Sequence, residues 1–484
     1  MSEVRKIAKN SFLLLFGRII SIVLGFAYTI YIARYLGAEG YGILSFALAF
    51  SGIFGIFTDL GLSTLTTREV ARNKALAVKY LENISLIEII LAGFTFLLIS
   101  LSLNIMKYPE QTVIIVYIVS ASIILNSFIK LLNSIFQAFE KMEYESIGII
   151  LQSVIMIVGV IFAIKGNLTV LSFAGVYLLS SGITLGYTFF VYIWKFGVFK
   201  FEVDWNFWKN TIRDALPFGI TGVFVTIFYW IDTVMLSFMK GDEIVGLYNV
   251  SYRLIMTLLI VPSIINVTIF PAMSKFSVSS NNSLNFVFRK YFKYMYIIGV
   301  PLCVGTVLLA DEIIQLLYGA GYRDSSIALQ ILIWSTLFIF MGSPFYRLLE
   351  ASNKQLITTK VTGICMLENI ILNLIIIPKY SYIGASATTV VTELTSLLLG
   401  IVICSKIGYS ISKNDLLDLI KVIAASLSMG FMIIHFKESN LFVLVAFSIL
   451  FYFIVLYLFR GFDTEDQVLF KDLISAKTIQ RYIK

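Results

Sequence analysis

Apolar segments of about 20 residues recur along the chain, and short polar turns separate them. The first two run from 10 to 34 and from 41 to 63. A helix rises about 1.5 Å per residue, so a segment of this length crosses a hydrocarbon core of about 30 Å. Because lipid offers no partners for backbone N–H and C=O groups, each segment must satisfy them within its own helix. The pattern therefore predicts an all-α, polytopic membrane protein.

We predict 14 transmembrane helices joined by loops too short to fold as separate soluble domains. The composition agrees, because 58% of the residues are hydrophobic and 14% are charged, whereas ordinary globular chains are about 25% charged. The predicted spans are 10–34, 41–63, 81–104, 112–136, 146–164, 168–194, 213–238, 245–270, 287–310, 326–349, 358–378, 383–405, 415–435 and 441–460.

Lysine and arginine are distributed unequally between the two sides of these spans. If the N-terminus is cytoplasmic, most of the 37 Lys and Arg residues lie in or beside cytoplasmic loops. This asymmetry follows the positive-inside rule and predicts a multi-pass protein of the cell membrane with both termini cytoplasmic. The topology also explains the net charge of +8. Because no long basic block is present, we expect no nucleic-acid partner. We also expect the protein to be a monomer.

Two hairpins share one pattern. Around Gly42 and again around Gly246, an aromatic-rich apolar run is followed by a short turn with glycine and an acidic residue, then by glycine and another apolar run. Aligning these glycines matches spans 1–6 with spans 7–12. A repeat unit with an even number of spans gives parallel repeats, which are typical of alternating-access transporters. We therefore predict an N-terminal lobe (1–200) and a C-terminal lobe (201–410) around a central cavity, followed by two additional helices and a short tail (411–484).

Charged residues lie inside several predicted spans, where each costs about 2.5–3.5 kcal/mol if it faces lipid. Arg18, Arg253 and Glu393 each share a helical face with small or polar residues, so we expect these faces to line a cavity. The complete set of candidate cavity residues is Arg18, Asp59, Glu88, Asp232, Arg253, Glu368 and Glu393.

These charges have structural and functional interpretations. Arg18 could form a structural pair with Asp59 or Glu88, and Asp59 could instead cap a helix end. Arg253 could likewise pair with Asp232. In the functional hypothesis, the two arginines bind substrate phosphates, because a guanidinium binds phosphate bidentately and stays charged. The acidic candidates would then serve as sites for a coupling ion, Na⁺ or H⁺, and we expect no other cofactor and no metal centre.

Several segments together resemble a known family. They are "ARYLGAEGYGILSFALAF" (33–50), "DLGL" (59–62), "FQAFEKMEY" (136–144), "LPFGITGVFVTIFYWIDTVML" (216–236), "VGLYNVSYRL" (245–254) and "NLIIIPKYSYIGASATTVVTEL" (373–394). Their order and spacing resemble the polysaccharide biosynthesis (Wzx-like) flippases of the multidrug/oligosaccharidyl-lipid/polysaccharide superfamily. The resemblance implies that a polyprenyl-pyrophosphate-linked oligosaccharide moves from the cytoplasmic to the outer leaflet, with its head in the cavity and its tail among the membrane lipids. Such flippases serve cell-surface polysaccharide or glycan synthesis.

Two other classes of function are alternatives to a flippase. A membrane glycosyltransferase or polymerase would show a sizeable outer loop with acidic or histidine residues, but the predicted outer loops are short and His435 is the only histidine. We therefore do not expect an enzyme. The same superfamily contains cation-coupled (MATE-like) drug antiporters, which remain the alternative. In an antiporter, acidic rather than basic cavity residues would govern substrate binding.

Overall fold

The computed structural model describes residues 3–197, 203–463 and 465–466, with side chains from residue 14 onward. Within these ranges the protein is all-α and contains no strand, as predicted. The predicted boundary between 200 and 201, most of the predicted tail and both chain termini lie outside the described residues. The helices are α1 (Glu3–Asp59), α2 (Leu62–Arg72), α3 (Ala77–Met106), α4 (Glu110–Ala138), α5 (Met142–Lys165), α6 (Val170–Phe196), α7 (Trp205–Lys240), α8 (Asp242–Leu258), α9 (Ile260–Ser279), α10 (Asn281–Leu308), α11 (Ala310–Tyr318), α12 (Ser325–Ala351), α13 (Gln355–Lys406), α14 (Lys413–His435) and α15 (Leu441–Leu458).

Twelve helical stretches of the described chain are long and apolar enough to cross a membrane. The predicted number was 14, and the difference arises at α1 and α13, which each cover two predicted spans. Each of these helices is interrupted by one residue with a positive φ angle, Gly37 at 69° and Ser381 at 53°. Both interruptions fall in turns that the sequence predicts, between 34 and 41 and between 378 and 383.

The contacts of α1 show that its chain direction changes at Gly37. On a straight helix, Tyr28 and Tyr41 would lie about 20 Å apart. Both instead line one small cavity around Arg253. Glycine adopts a positive φ angle without a steric penalty, so the interruption is located where the backbone can reverse most easily.

The same reasoning applies to α13. Asn373 and Thr389 would be about 24 Å apart along a straight helix. Their side chains nevertheless hydrogen-bond to the same carboxylate, that of Asp232. The chain therefore turns back at Ser381 and brings two arms of α13 together. The crossing number of 14 and the two six-helix repeats stay predictions.

One compact unit of the structure consists of Met1–Ile260, Ile314–Ala328 and Thr359–Thr392. Within it, the two similar hairpins pack backbone against backbone. A Cβ atom on Gly42 would lie 1.7 Å from the Asp242 carbonyl oxygen, and one on Gly246 would lie 1.9 Å from the Ala38 carbonyl oxygen. The alignment that matches Gly42 with Gly246 also matches Ala38 with Asp242. The contact that each glycine makes with the other hairpin is therefore equivalent in the two hairpins. Only glycine permits this approach at both positions.

The second compact unit consists of Val261–Ile313, Leu329–Thr358 and Glu393–Lys484. In this unit, α14 begins at a capping box formed by Ser412 and Asp415, and Arg289 of α10 pairs with Asp415 at 3.0 Å. The Tyr452 hydroxyl on α15 donates a 2.8 Å hydrogen bond to the Ile297 carbonyl oxygen. These polar contacts, together with the ion pair between Lys293 and Asp418 at 3.1 Å, join α10, α14 and α15.

The segment after α15 is attached to the second unit by lysines. Lys290 and Lys293 lie one turn apart on α10, and both contact the carboxylates of Asp463 and Asp466 at 2.7–3.1 Å. Asp463 and Asp466 also accept hydrogen bonds from each other's backbone N–H groups. Burial alone would raise the pKa of Asp463, but the hydrogen bonds from these lysines lower it below its usual value.

Candidate functional site

A polar cavity of about 480 Å³ lies in the first unit, between α1, α2, α4, α5 and α6. We call it the Arg18 cavity. Three cationic side chains line it, on three different helices, together with one carboxylate and several amides that donate or accept hydrogen bonds. The charged and amide-bearing lining residues are Arg18, Arg68, Lys130, Asn126, Asn133, Gln137, Gln152 and Glu145.

Arg18 is exposed toward this cavity. No carboxylate of the described residues lies within 4.0 Å of its guanidinium. Glu145 acts on it electrostatically from the same cavity wall, but the Glu145 carboxylate accepts a 2.8 Å hydrogen bond from Gln137. The Arg18 guanidinium therefore keeps donors available for an anion.

The structural pair that the sequence suggested for Arg18 is not formed. The Asp59 carboxylate instead accepts a 2.6 Å hydrogen bond from the Lys130 ammonium group. Its second oxygen accepts a 2.8 Å hydrogen bond from the backbone N–H of Ser63, at the start of α2. Asp59 thus caps a helix end, as one of the two structural interpretations proposed, and it takes its cation from α4 rather than from α1.

A second, smaller cavity of about 180 Å³ surrounds Arg253 in the same unit. We call it the Arg253 cavity. Five aromatic side chains are among its lining residues, and three of them are Tyr28, Tyr41 and Tyr177. The guanidinium also lies 3.5 Å from the position that a Cβ on Gly25 would occupy. A Cβ atom at this position would therefore be in ordinary van der Waals contact with Arg253.

Arg253 does not pair with Asp232, which was the structural alternative. Among the described residues, no carboxylate lies within 4.0 Å of the Arg253 guanidinium. An unpaired cation in a partly buried aromatic cavity carries a desolvation cost that an anion would relieve. This arrangement is suited to binding an anionic group.

The two arginines lie in separate cavities. Gly25, which contacts Arg253, is seven residues after Arg18 on the first arm of α1, which corresponds to about 10 Å along the helix. The Arg18 and Arg253 cavities share no lining residue. The structure therefore places two cationic sites in succession beside α1 rather than one common phosphate clamp.

Asp232 lies at the centre of a buried polar cluster in the first unit. Its carboxylate is 3% exposed and accepts hydrogen bonds from Tyr248 at 2.9 Å, Thr389 at 2.7 Å and Asn373 at 2.5 Å. The Asn373 amide also donates to the Asn369 side-chain oxygen at 3.0 Å. Carboxylate, amide and hydroxyl oxygens are the ligands that hard cations prefer. This cluster can hold a proton or a small cation.

The other three acidic candidates differ in their surroundings. Glu88 on α3 is completely buried, and neither of its carboxyl oxygens has a hydrogen-bond partner among the described residues. Glu368 and Glu393 lie on different arms of α13, and both are half-buried. Glu393 belongs to the second unit, where its described surroundings contain no cation within 4.0 Å.

A third cavity, of about 620 Å³, lies in the second unit beside the segment that follows α15. Its lysines and Arg289 are paired with aspartate or glutamate side chains. Because its charges compensate one another, this cavity presents less unpaired charge than either arginine cavity.

Comparison with known proteins decides the family. The sequence model of the family described as "Polysaccharide biosynthesis protein" matches residues 7–277, which is more than half of the chain. The chain belongs to the polysaccharide biosynthesis protein family. The resemblance seen in the sequence is thereby confirmed. A second family model, MatE, matches residues 217–375 and places this family member in the same superfamily as the drug exporters.

Relatives of this polysaccharide biosynthesis family member are named as flippases or transporters. A Haloferax volcanii protein named as the flippase AglR is 28% identical over 34% of this chain, and the match spans 35% of AglR, about a third of its length. A Shigella flexneri protein named as an O-antigen transporter is 24% identical over 78% of this chain and 93% of its own. The solved structure of the lipid II flippase MurJ in an inward closed conformation superposes with a TM-score of 0.77, at 19% identity, over 96% of this chain and 100% of MurJ. The MurJ likeness establishes the fold.

The sequence interpretation of this family member missed Lys130 and Arg68 as cavity cations. A signal was present for Lys130, because Asn126, Lys130, Asn133 and Gln137 recur at intervals of three and four residues on α4. Such spacing puts them on one helical face, and all four line the Arg18 cavity. Arg68 lies on α2, within a stretch that the sequence predicts as a loop, so periodicity offered no guide to it.

Proposed function

We propose that this protein is a transporter that flips a polyprenyl-pyrophosphate-linked oligosaccharide from the cytoplasmic to the outer leaflet of the cell membrane by alternating access. The observation that carries the proposal is the pair of arginines, Arg18 and Arg253, which have no carboxylate partner within 4.0 Å among the described residues and which line two cavities along α1. The named flippases and transporters among the relatives support the same substrate class.

The Arg18 cavity matches the chemistry of a sugar-pyrophosphate headgroup. Its arginines and Lys130 can bind phosphate oxygens through charge-assisted hydrogen bonds. Its asparagine and glutamine amides can donate to and accept from sugar hydroxyl groups. The polyprenyl tail would remain in lipid, because the hydrophobic effect opposes its transfer to a polar cavity.

The aromatic lining of the Arg253 cavity suits a second step along the same path. The guanidinium would receive the phosphates after they leave Arg18, about 10 Å away along α1. In this scheme the lobes 1–200 and 201–410 move against each other and expose the two cationic sites in turn, as in other transporters built from parallel repeats.

We propose further that Asp232 couples this movement to a Na⁺ or H⁺ gradient. The buried carboxylate is surrounded by hydroxyl and amide groups from α8 and from both arms of α13. Binding a cation there would neutralise Asp232 and strengthen the contact between the two arms. Glu368 and Glu393 stay candidates for the same role.

Reconstitution into vesicles tests the proposal. A fluorescent polyprenyl-pyrophosphate-linked disaccharide would be placed in the vesicle membrane, and an impermeant quencher would report the leaflet that it occupies. We expect the wild-type protein to move the probe and R18A or R253A to slow it about tenfold or more, since hydrogen bonds to charged groups contribute about 1.5–3 kcal/mol. R72A is the matched control, because the Arg72 side chain is 68% exposed and lines neither cavity. Normal flipping by the R18A/R253A double variant would exclude the phosphate role.

The second candidate function is a cation-coupled drug antiporter. It is favoured by the match of the MatE model to residues 217–375, a region that contains Asp232. An antiporter would protect cells from cationic drugs and would lose this protection in D232N but not in R18A. A flippase would leave drug sensitivity unchanged in both variants, and its loss would strand lipid-linked oligosaccharide in the cytoplasmic leaflet.

A further inference from the structure

Glu88 is a buried acid without an apparent structural task. Its side chain on α3 is 0% exposed, and neither carboxyl oxygen has a hydrogen-bond partner within the part of the chain that the structure describes. A carboxylate that is removed from water without hydrogen bonds or a counter-ion in contact is strongly disfavoured relative to the neutral acid. These surroundings therefore favour a Glu88 that carries a proton.

Two charged groups reach Glu88 electrostatically. They are the Asp59 carboxylate at the end of α1 and the Lys130 ammonium group on α4. The helices α2 and α7 also pack against α3, but their described residues contribute no charged group that acts on Glu88. Glu88 thus responds to one ion pair, and that ion pair is the 2.6 Å contact between Lys130 and Asp59.

Lys130 belongs to both the ion pair and the Arg18 cavity. Its side chain is 55% exposed and lines the cavity, whereas the Asp59 side chain is 6% exposed. An anion that enters the cavity therefore competes with Asp59 for the same ammonium group. Asp59 has no second cation within 4.0 Å among the described residues, since its other contact is the backbone N–H of Ser63.

Moving Lys130 toward an anion would leave Asp59 as a buried carboxylate without its counter-ion. A buried carboxylate without its counter-ion is costly, so protonation of Asp59 becomes favourable. The reverse also holds, because thermodynamic coupling between two binding events is reciprocal. A proton on Asp59 weakens the attraction that holds Lys130 and frees it for an anion.

We propose that Asp59 and Lys130 form a proton-linked anion switch, in which binding of a phosphate-bearing headgroup to Lys130 and protonation of the Asp59 carboxylate favour each other. The inference rests on the proposed function, because it takes a pyrophosphate headgroup as the anion. The proton comes from water in the Arg18 cavity, the ammonium group keeps its charge, and one carboxylate becomes a carboxylic acid. Headgroup binding in this half of the protein is then linked to the proton gradient independently of Asp232.

The binding test uses the purified full-length protein and farnesyl pyrophosphate as the probe. We expect the wild-type affinity to fall as the pH rises. We expect D59N to bind the probe more tightly, by at least about fivefold, which is the lower end of typical coupling between linked sites. D59N should also lose part of the pH dependence. E88Q should bind the probe with nearly the wild-type affinity, because Glu88 already carries a proton. Asparagine keeps the hydrogen bond from Ser63, so D59N retains the helix cap.

The control for general electrostatics is a double-mutant cycle. In the K130M background, D59N should no longer tighten binding, because the switch acts through Lys130. If D59N tightens binding equally with and without Lys130, or if D59N leaves the affinity unchanged, the switch is wrong while the proposed function survives. Inorganic pyrophosphate is measured in parallel, and equal effects on it would assign the site to the free anion as well as to the lipid.

A measurement without ligand separates the two proposals. Infrared spectroscopy of the full-length protein distinguishes a protonated carboxyl group from a carboxylate, and E88Q identifies the signal of Glu88. We expect a protonated Glu88 at neutral pH, and an ionised Glu88 would overturn the inference whatever the substrate is. Failure of farnesyl pyrophosphate to bind the wild-type protein would instead overturn the proposed function.

Discussion

Replacing Gly42 with alanine tests the backbone contact between the two similar hairpins. The added Cβ atom would lie 1.7 Å from the Asp242 carbonyl oxygen, whereas ordinary contacts begin near 3.4 Å. A backbone oxygen cannot rotate away as a side chain can. The hairpins must therefore separate locally by about the difference between these two distances, and the contact at Gly246 must open with them.

The expected cost follows from this displacement. Overpacking a core costs about 1–3 kcal/mol when side chains can adjust. Because backbone must move here, we expect a value at the upper end, about 3 kcal/mol. The higher helix propensity of alanine offsets up to about 1 kcal/mol of this. We therefore expect G42A to lower the melting temperature by several degrees.

The three cysteines supply the assay, because all are buried and none forms a disulfide. In a C303A/C404A background, Cys365 remains as a reporter in the same compact unit as Gly42. A thiol-reactive fluorogenic dye then follows thermal unfolding in detergent. G93A is the matched control, since a Cβ on Gly93 meets nothing within 4 Å. It should be neutral or slightly stabilising.

The outcome that would refute the reasoning is a G42A protein that melts with the control. A second check is the double variant G42A/G246A. Both substitutions strain one contact, so their costs should not add. Fully additive losses would show that the two glycines act at independent places.

Three further predictions concern polar contacts, and thermal unfolding of the full-length protein measures each. D466N removes a fully buried carboxylate that both Lys290 and Lys293 contact, so it should cost about 3–5 kcal/mol, whereas E438Q at an exposed site should cost little. The pKa of Asp463 is lowered in the folded protein, so its ionised carboxylate stabilises the fold above the usual pKa of about 4 and ceases to do so as the pH falls through the lowered pKa. The difference in melting temperature between the wild type and D463N should therefore close on acidification. A difference that stays constant with pH would contradict this prediction. W208F removes the 2.8 Å hydrogen bond from the indole to Asn83 and should cost about 1 kcal/mol, whereas W205F, at a side chain that is 73% exposed, should not.

The candidate site was only partly predictable from the sequence. The stripes on α1 and α8 pointed to Arg18 and Arg253, and the structure gives each arginine its own cavity. The partners of these charges were predicted wrongly or left open. Asp59 pairs with Lys130 of α4, and the partners of Asp232 come from α8 and from residues 373 and 389 of α13.

The reason lies in what helical periodicity records. It shows which residues share a face, because that depends on the 3.6-residue turn alone. Helical periodicity does not show which other helix packs against that face. Sequence separation is no guide either, since the Asp232 cluster joins residues more than a hundred positions apart.

The sequence by itself determined the all-α membrane class, the turns between 34 and 41 and between 378 and 383, and the faces that carry charge, because these depend on local hydrophobicity and helix geometry. It also determined the family, through the order and spacing of its motifs. Only the tertiary structure decided that Lys130 lies between Asp59 and the Arg18 cavity, that Glu88 is buried beside this pair, and that Gly42 and Gly246 meet backbone to backbone. Helices with similarly apolar surfaces have no distinctive attraction for one another. Their neighbours are therefore set by close packing of the whole bundle and by the few buried polar groups that must find partners.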